Sequence, residues 1–253
     1  MEIVLLALVG LLTGVIIVYL ADVLPHKRRI TRPVCAWCGA TVGWRDWFLF
    51  RPCPECAKTR RRRNWIVPLV SALVMIFLAS YPPESLPVEL PLPLAALLLA
   101  FFAVVAIIDL EYHAVLTEIS ILGAFLGLTV GMLRNSWQET LAGGAAGFGI
   151  MLILYLFGRL FGRWLAKRRG VELEDTEALG FGDVNLGGII GLVFGWPAVI
   201  AGLLLAIVLG GITGLALVLI NTLSRRYKVG MFIPYAPFLV LAAVLLLFIP
   251  WRG

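Results

Sequence analysis

The sequence predicts an all-α polytopic membrane protein of about eight transmembrane helices with a small cytoplasmic lobe. Of its 253 residues, 61% are hydrophobic and only 14% are charged, whereas a soluble domain is about half apolar and about a quarter charged. Apolar stretches of roughly membrane-spanning length recur along the chain, and Lys and Arg are concentrated in a few segments between them. Composition therefore excludes a soluble enzyme, a disordered chain and a secreted disulfide scaffold.

The apolar stretches give the predicted helices. A transmembrane helix needs about 20 mostly apolar residues, because each residue adds about 1.5 Å along the helix axis. Eight stretches are candidates, of which the second, fourth and sixth are short: 3–24, 66–81, 92–109, 119–133, 140–161, 184–199, 201–220 and 232–250. The first lacks a basic leader and is followed by Pro25 and several basic residues, which indicates a membrane anchor rather than a cleaved signal peptide.

The basic residues predict an orientation. With eight spans, segments 25–65, 159–169 and 225–228 lie on one side of the membrane and carry nineteen of the 21 Lys and Arg residues. Basic loops remain in the cytoplasm, so we predict an outside N-terminus. The net charge of +6, including the run 60–63, is then interpreted as a topology signal rather than as a nucleic-acid surface.

Glycines four residues apart recur inside the predicted helices. The pairs are 10/14, 143/147, 187/191 and 210/214. Such pairs make a flat strip on which another helix backbone can pack closely. We interpret the strips as packing within one chain rather than as a dimer face.

The four cysteines lie in one cytoplasmic segment as two CxxC pairs, Cys35 with Cys38 and Cys53 with Cys56. Two such pairs supply four thiolates to one tetrahedral metal, and the reducing cytosol disfavours disulfides. Gly39 is expected to form a turn that points backbone amides at the sulfurs. The spacing therefore predicts a zinc-ribbon-like lobe over residues 25–65, in which zinc stabilises the fold and takes no part in chemistry.

Two aspartates border predicted spans. Asp109 ends the third apolar stretch and Asp183 opens the sixth, so the predicted topology puts both at the cytoplasmic end of a helix. A carboxylate at such a depth is costly and is a candidate functional group, although each could simply mark a helix end. Two carboxylates at one depth can share a proton and a water, one acting as general base and the other polarising a carbonyl.

The local sequence around these aspartates resembles a known family. Asp183 stands in Gly180-Phe181-Gly182-Asp183, which resembles the GxGD motif of membrane aspartic proteases. The four-cysteine segment after the first span, Asp109 after the third, this motif, and the segment 233–238 (IPYAPF) before the last span together resemble the type IV prepilin leader peptidases.

The resemblance implies a function and a site. Prepilins or pseudopilins of type IV pili or type II secretion would be cleaved on the cytoplasmic side of the inner membrane, after a glycine that precedes their apolar helix. Asp109 and Asp183 would be the catalytic pair, with Gly180, Phe181 and Gly182 positioning the substrate. The family often also methylates the new N-terminus with S-adenosylmethionine.

The chain departs from the family pattern at several positions. Residues other than the usual ones stand at Asn185, at Leu116-Thr117, around Val18, at Arg51 and at Ser71. Neither aspartate is affected, but several departures lie in or near the segment associated with methylation. Methyltransferase activity is therefore left open.

An acidic run precedes the GxGD motif and consists of Glu172, Glu174, Asp175 and Glu177. It could attract the basic leader of a prepilin, or it could balance the neighbouring basic residues 167–169. The predicted partners are prepilin substrates and the lipid bilayer, with no nucleic acid; the sequence does not give the oligomeric state.

The predicted domains are a first helix (1–24), the zinc-binding lobe (25–65) and a seven-helix protease core (66–253). Two other classes remain as alternatives. A proton-coupled transporter predicts aspartates near the middle of the bilayer and inverted repeats, and a zinc-ribbon membrane adaptor predicts no catalysis.

Overall fold

A computed structural model of the chain describes residues 2–80, 90–169, 180–223 and 234–248. These residues form nine α-helices and one isolated β-bridge, between Val34 and Thr41. The helices are α1 (Glu2–Lys27), α2 (Trp44–Phe48), α3 (Arg63–Ser80), α4 (Leu92–Tyr112), α5 (Thr117–Arg134), α6 (Trp137–Arg169), α7 (Phe181–Phe194), α8 (Ala198–Leu223) and α9 (Ala236–Phe248). The predicted all-α fold class is confirmed.

Eight of these helices coincide with the eight predicted stretches, and α2 is a short helix inside the cysteine-containing segment. Six helices, α1, α3, α4, α5, α6 and α8, are long and apolar enough to cross a membrane, which fits a multi-pass membrane protein. The helices α7 and α9 have only 14 and 13 residues. The sixth stretch was predicted to reach residue 199, but α7 ends at Phe194 because Gly195 has a φ of 72° and Pro197 follows.

The chain divides into two compact units, Met1–Ile108 and Asp109–Gly253. In the first unit, α1 packs against α3 through Gly10 and Gly14. A Cβ atom on Gly14 would lie 2.3 Å from the Cα of Pro68, and one on Gly10 would lie 2.6 Å from the Cα of Ala72. Only glycine permits this approach, so the first glycine pair forms a contact within the chain, as predicted.

In the second unit, α7 packs against α6 through two facing glycine strips. A Cβ on Gly147 would lie 2.3 Å from the carbonyl oxygen of Gly187, and a Cβ on Gly191 would lie 2.1 Å from that of Gly143. The predicted packing of these two strips within the chain is confirmed. In α8, a Cβ on Gly210 would lie 3.1 Å from the ring of Tyr235, whereas one on Gly211 would have no atom within 4 Å.

The domain boundaries predicted at residues 24 and 65 do not coincide with the division between the two compact units at residue 108. Compactness of the folded chain does not separate the four-cysteine lobe from the helices that carry it, so the predicted domains stay a prediction.

Candidate active site and four-cysteine centre

Asp183 lies in the first turn of α7. The helix begins after Gly180, whose backbone is extended (φ −81°, ψ 149°), and the Oδ2 atom of Asp183 accepts a hydrogen bond from the amide of Gly180 at 3.1 Å. The carboxylate therefore caps its own helix. The other oxygen, Oδ1, is buried and has no hydrogen-bond partner. A buried carboxylate oxygen without a partner is the position at which a water or a substrate group would be favoured.

Asp109 lies near the end of α4 and contacts the segment before the last helix. Its Oδ2 atom accepts a hydrogen bond from the backbone amide of Ala236, at 3.2 Å, across 127 residues of sequence. Ala236 belongs to the segment 233–238, which the resemblance singled out. The first residue of α9 thus fixes the orientation of the Asp109 carboxylate.

The fold brings the two aspartates together inside the second unit. Both side chains are only 5% exposed, and the two carboxylates are close enough to interact electrostatically. The hydroxyl of Tyr235 also lies near enough to Asp183 for an electrostatic interaction. The burial of both residues shields the pair from solvent.

Gly182 determines how closely α7 approaches the connection between α4 and α5. A Cβ at this position would lie 2.4 Å from the Cβ of Val115 and 3.0 Å from its carbonyl oxygen. At Gly180 the nearest atom to such a Cβ is 3.7 Å away, which is ordinary van der Waals contact. The second glycine of the motif is therefore sterically required, and the first is not.

The remaining predicted site residues are Phe181 and the acidic run before the motif. Phe181 is half-exposed and makes edge-to-face contacts with Phe148 and Tyr155, at centroid distances of 6.4 and 6.0 Å. The acidic run at 172, 174, 175 and 177 lies outside the described residues.

A large cavity opens next to the motif. It has a volume of about 560 Å³ and lies between α5, α6 and α7. Phe181 and Asn185 line it on α7, and Thr117 and Ser120 line it on α5. The polar groups among its lining residues are thus concentrated near the N-termini of α5 and α7, and small and apolar residues line the rest.

The four cysteines converge in the first unit, and their sulfur atoms all lie within 4.8 Å of one another. The Cys35–Cys56 and Cys38–Cys53 sulfur pairs are each 3.7 Å apart. A tetrahedral zinc with Zn–S bonds of about 2.3 Å needs sulfur separations of about 3.8 Å, so the arrangement fits that metal.

The backbone around the cysteines repeats a single turn. The residues after each pair, Gly39 and Ala57, both have positive φ values, 70° and 55°, and their amides donate to the carbonyl oxygens of Cys35 and Cys53 at 2.8 Å. Gly39 thus forms the predicted turn, and its own amide donates to a carbonyl oxygen. Burial raises the pKa of Cys35, and the backbone amides of Trp37 and Cys38 oppose that effect.

The lobe also contains a buried carboxylate that none of the sequence motifs above indicates. Asp22, on α1, is 2% exposed and forms an ion pair with Arg63 at 2.6 Å. It also lies 3.8 Å from Arg60 and accepts a hydrogen bond from the indole of Trp47 at 3.4 Å. An acidic residue within the first apolar stretch was the signal that could have identified it.

The basic run 60–63 has contacts of its own in this lobe. The guanidinium of Arg60 stacks over Trp47 at 4.5 Å, and that of Arg61 stacks over Trp37 at 4.4 Å. Burial lowers the pKa of Arg60, and the nearby Asp22 and Cys35 oppose that effect. The basic run therefore forms stabilising side-chain contacts within the lobe, in addition to any role as a topology signal.

Comparison with known proteins agrees with the motifs. The model of the type IV leader peptidase family matches residues 96–215, which include both aspartates. A curated relative from Aeromonas hydrophila, named prepilin leader peptidase/N-methyltransferase, is 25% identical over 228 residues, covering 86% of this chain and 71% of the relative. No solved structure gives a significant match. The comparisons support a peptidase role, and the resemblance to type IV prepilin leader peptidases is confirmed.

Proposed function

We propose that this protein is a membrane aspartic endopeptidase that removes the basic leader of type IV prepilins or pseudopilins. The observation that carries the proposal is the convergence of Asp109 and Asp183, from two helices far apart in sequence, into one buried pair of carboxylates within range of an electrostatic interaction. The match to the type IV leader peptidase family supports the reaction class.

The chemistry requires one ionised and one protonated carboxyl. The ionised carboxylate removes a proton from a water molecule as the water oxygen bonds to the scissile carbonyl carbon. The protonated carboxyl stabilises the carbonyl oxygen as negative charge develops there. The C–N bond then breaks, and the leaving amine takes a proton from the first carboxyl. The unpartnered Oδ1 of Asp183 is the position we assign to the water.

The substrate enters from the membrane with its basic leader in the cytoplasm. Cleavage follows the glycine before the apolar helix, and Gly180, Phe181 and Gly182 position the extended segment of the substrate over the aspartates. The positive-inside distribution of Lys and Arg supports a cytoplasmic active site and an outside N-terminus in the inner membrane. The acidic residues 172, 174, 175 and 177 attract the leader by salt-sensitive electrostatics.

We assign structural zinc to Cys35, Cys38, Cys53 and Cys56. Zinc bound there supplies folding energy to the lobe and has no open coordination position for catalysis. N-methylation with S-adenosylmethionine is a second activity that the name of the relative suggests.

The proposal is tested with purified protein in detergent micelles, incubated with a prepilin and followed by mass spectrometry of the products. Asp109→Asn and Asp183→Asn should each abolish cleavage while zinc content and thermal stability are kept. Glu118→Gln, at an exposed carboxylate at the start of α5, is the matched control and should cleave normally.

Adding S-adenosylmethionine to the same reaction separates the two activities. A mass increase of one methyl group on the mature product would establish methylation, and its absence would restrict the protein to peptidase activity. Cleavage that survives in either asparagine variant would refute the aspartic mechanism. A wild-type protein that cleaves no prepilin would favour the transporter or adaptor alternatives.

A further inference from the structure

A single cavity in this lobe is lined both by the four-cysteine centre and by the residues around Asp22. Cys35 and Cys53 line this space together with Asp22, Arg60 and Asn64. Arg60 therefore borders the same space as two of the cysteines and the buried carboxylate, and it interacts electrostatically with both Asp22 and Cys35. Its side chain is only 13% exposed, so it is partly shielded from the solvent that screens surface charges.

A metal bound by four thiolates would place a net negative charge inside this lobe. Zn²⁺ with four ionised cysteines carries a formal charge of about −2, and removing that charge from water is costly unless cations or N–H donors lie nearby. Backbone amides near Cys35 and Cys53 favour the ionised thiolates and meet part of this need. The remaining negative charge requires a cation that is fixed close to the sulfurs, because a mobile surface Lys loses most of its effect to screening by salt.

Arg60 is held in place from several directions. Its guanidinium stacks on Trp47 at 4.5 Å and lies 3.8 Å from Asp22. The side-chain amide of Asn64 accepts a hydrogen bond from it at 2.9 Å when the amide is turned so that its oxygen faces Arg60. A planar guanidinium can stack and donate in its plane at once, whereas an ammonium cannot. It also remains charged at every pH that the protein meets.

We propose that Arg60 is a positioning residue of the metal centre: it is the fixed cation that balances the negative charge of the metal–tetrathiolate group, and Asp22 and Trp47 hold it there. The inference rests on the zinc site proposed above and adds a residue outside the CxxC pairs. It gives the buried carboxylate on α1 a function, because Asp22 links the end of that helix to the charge balance of the lobe.

Substitution of Arg60 should leave the fold intact. Asp22 keeps its closer partner Arg63, at 2.6 Å, when Arg60 is changed to Gln, so no uncompensated buried charge is created. Arg62 lies in the same basic run, but its side chain is exposed, which makes Arg62→Gln a control of equal charge change.

The test is the zinc affinity of the full-length protein in detergent, measured by competition with a chromogenic chelator at fixed pH and salt. We expect Arg60→Gln to lower zinc affinity about tenfold or more, the range found when residues behind metal ligands are removed. Arg62→Gln should stay within about twofold of wild type, because an exposed charge is screened. Arg60→Lys, which keeps the charge, should recover part of the loss.

Each outcome bears on a different step. Equal affinities of Arg60→Gln and Arg62→Gln, with zinc bound to wild type, would overturn the role of Arg60 alone. A loss in Arg60→Lys as large as that in Arg60→Gln would indicate packing on Trp47 rather than charge, and would also overturn it. Wild-type protein that binds no zinc would overturn the metal assignment and this inference together, without affecting the peptidase proposal.

Discussion

Gly182 provides the sharpest test of how the fold positions the aspartates. Gly182→Ala would place a Cβ 2.4 Å from the Cβ of Val115, whereas carbon atoms in contact are about 3.5–4.0 Å apart. The overlap of more than about 1 Å can be relieved only if the N-terminus of α7 moves away from the α4–α5 connection. Asp183 is the next residue, so it moves with that turn and away from Asp109.

The expected loss of stability and of catalytic rate in Gly182→Ala follows from two effects. Overpacking of this size costs about 1–3 kcal/mol of stability. A displacement of about 1 Å at a catalytic group costs about 100-fold in rate. We therefore expect Gly182→Ala to lower kcat for prepilin cleavage by about 100-fold, with KM changed far less, because the leader and the apolar helix still bind.

The assay is a steady-state measurement of prepilin cleavage in mixed micelles. Gly149→Ala is the matched control, since a Cβ there meets no atom within 4 Å. Gly180→Ala should cost clearly less than Gly182→Ala, because its Cβ has 3.7 Å of room. Combining Gly182→Ala with Val115→Gly removes the atom in closest conflict and should restore part of the rate. A fully active Gly182→Ala, or no rescue by Val115→Gly, would refute the steric reasoning.

Three further predictions concern stability. Gly191→Ala places a Cβ 2.1 Å from the carbonyl oxygen of Gly143 and should lower the melting temperature in detergent, whereas Gly158→Ala, with open space, should not. Asp22→Asn breaks a buried ion pair and should destabilise the lobe by about 3–5 kcal/mol in denaturant titrations; Asp46→Asn, at an exposed carboxylate, should change stability by less than about 1 kcal/mol. Removal of zinc with a chelator should make segment 25–65 sensitive to protease while prepilin cleavage persists; complete loss of cleavage at unchanged stability would show that the metal takes part in the chemistry.

The helices and the four-cysteine cluster could be predicted because each depends on local pattern. Apolar length identifies a membrane helix, and CxxC spacing brings its two sulfurs together regardless of what surrounds them. The convergence of the two pairs into one cluster with sulfurs within 4.8 Å follows from the same requirement for four ligands. The packing of Gly143 and Gly147 on α7 was also predictable, because small residues at helical spacing have few other uses in a membrane.

The partners of the aspartates could not be predicted from side-chain patterns. Asp109 is oriented by the backbone amide of Ala236, and every non-proline residue carries such an amide. The contact of Gly182 with Val115 likewise depends on how two connections meet, and nothing in the residue type of Val115 indicates it. The helix α7 ended earlier than predicted because the apolar stretch continues past Gly195, where the backbone conformation ends the helix.

The basic run 60–63 shows why charge patterns along a sequence can have two causes at once. A cluster of Arg residues beside a membrane span satisfies the positive-inside rule wherever its side chains point. In this lobe Arg60 and Arg63 turn towards Asp22, and Arg61 turns towards Trp37. The pairing requires a carboxylate inside the first apolar stretch, and an acidic residue there would be too costly to keep without such partners. The topology signal and the internal ion pairs therefore depend on the same residues, and mutations of this run would have to be controlled for both effects.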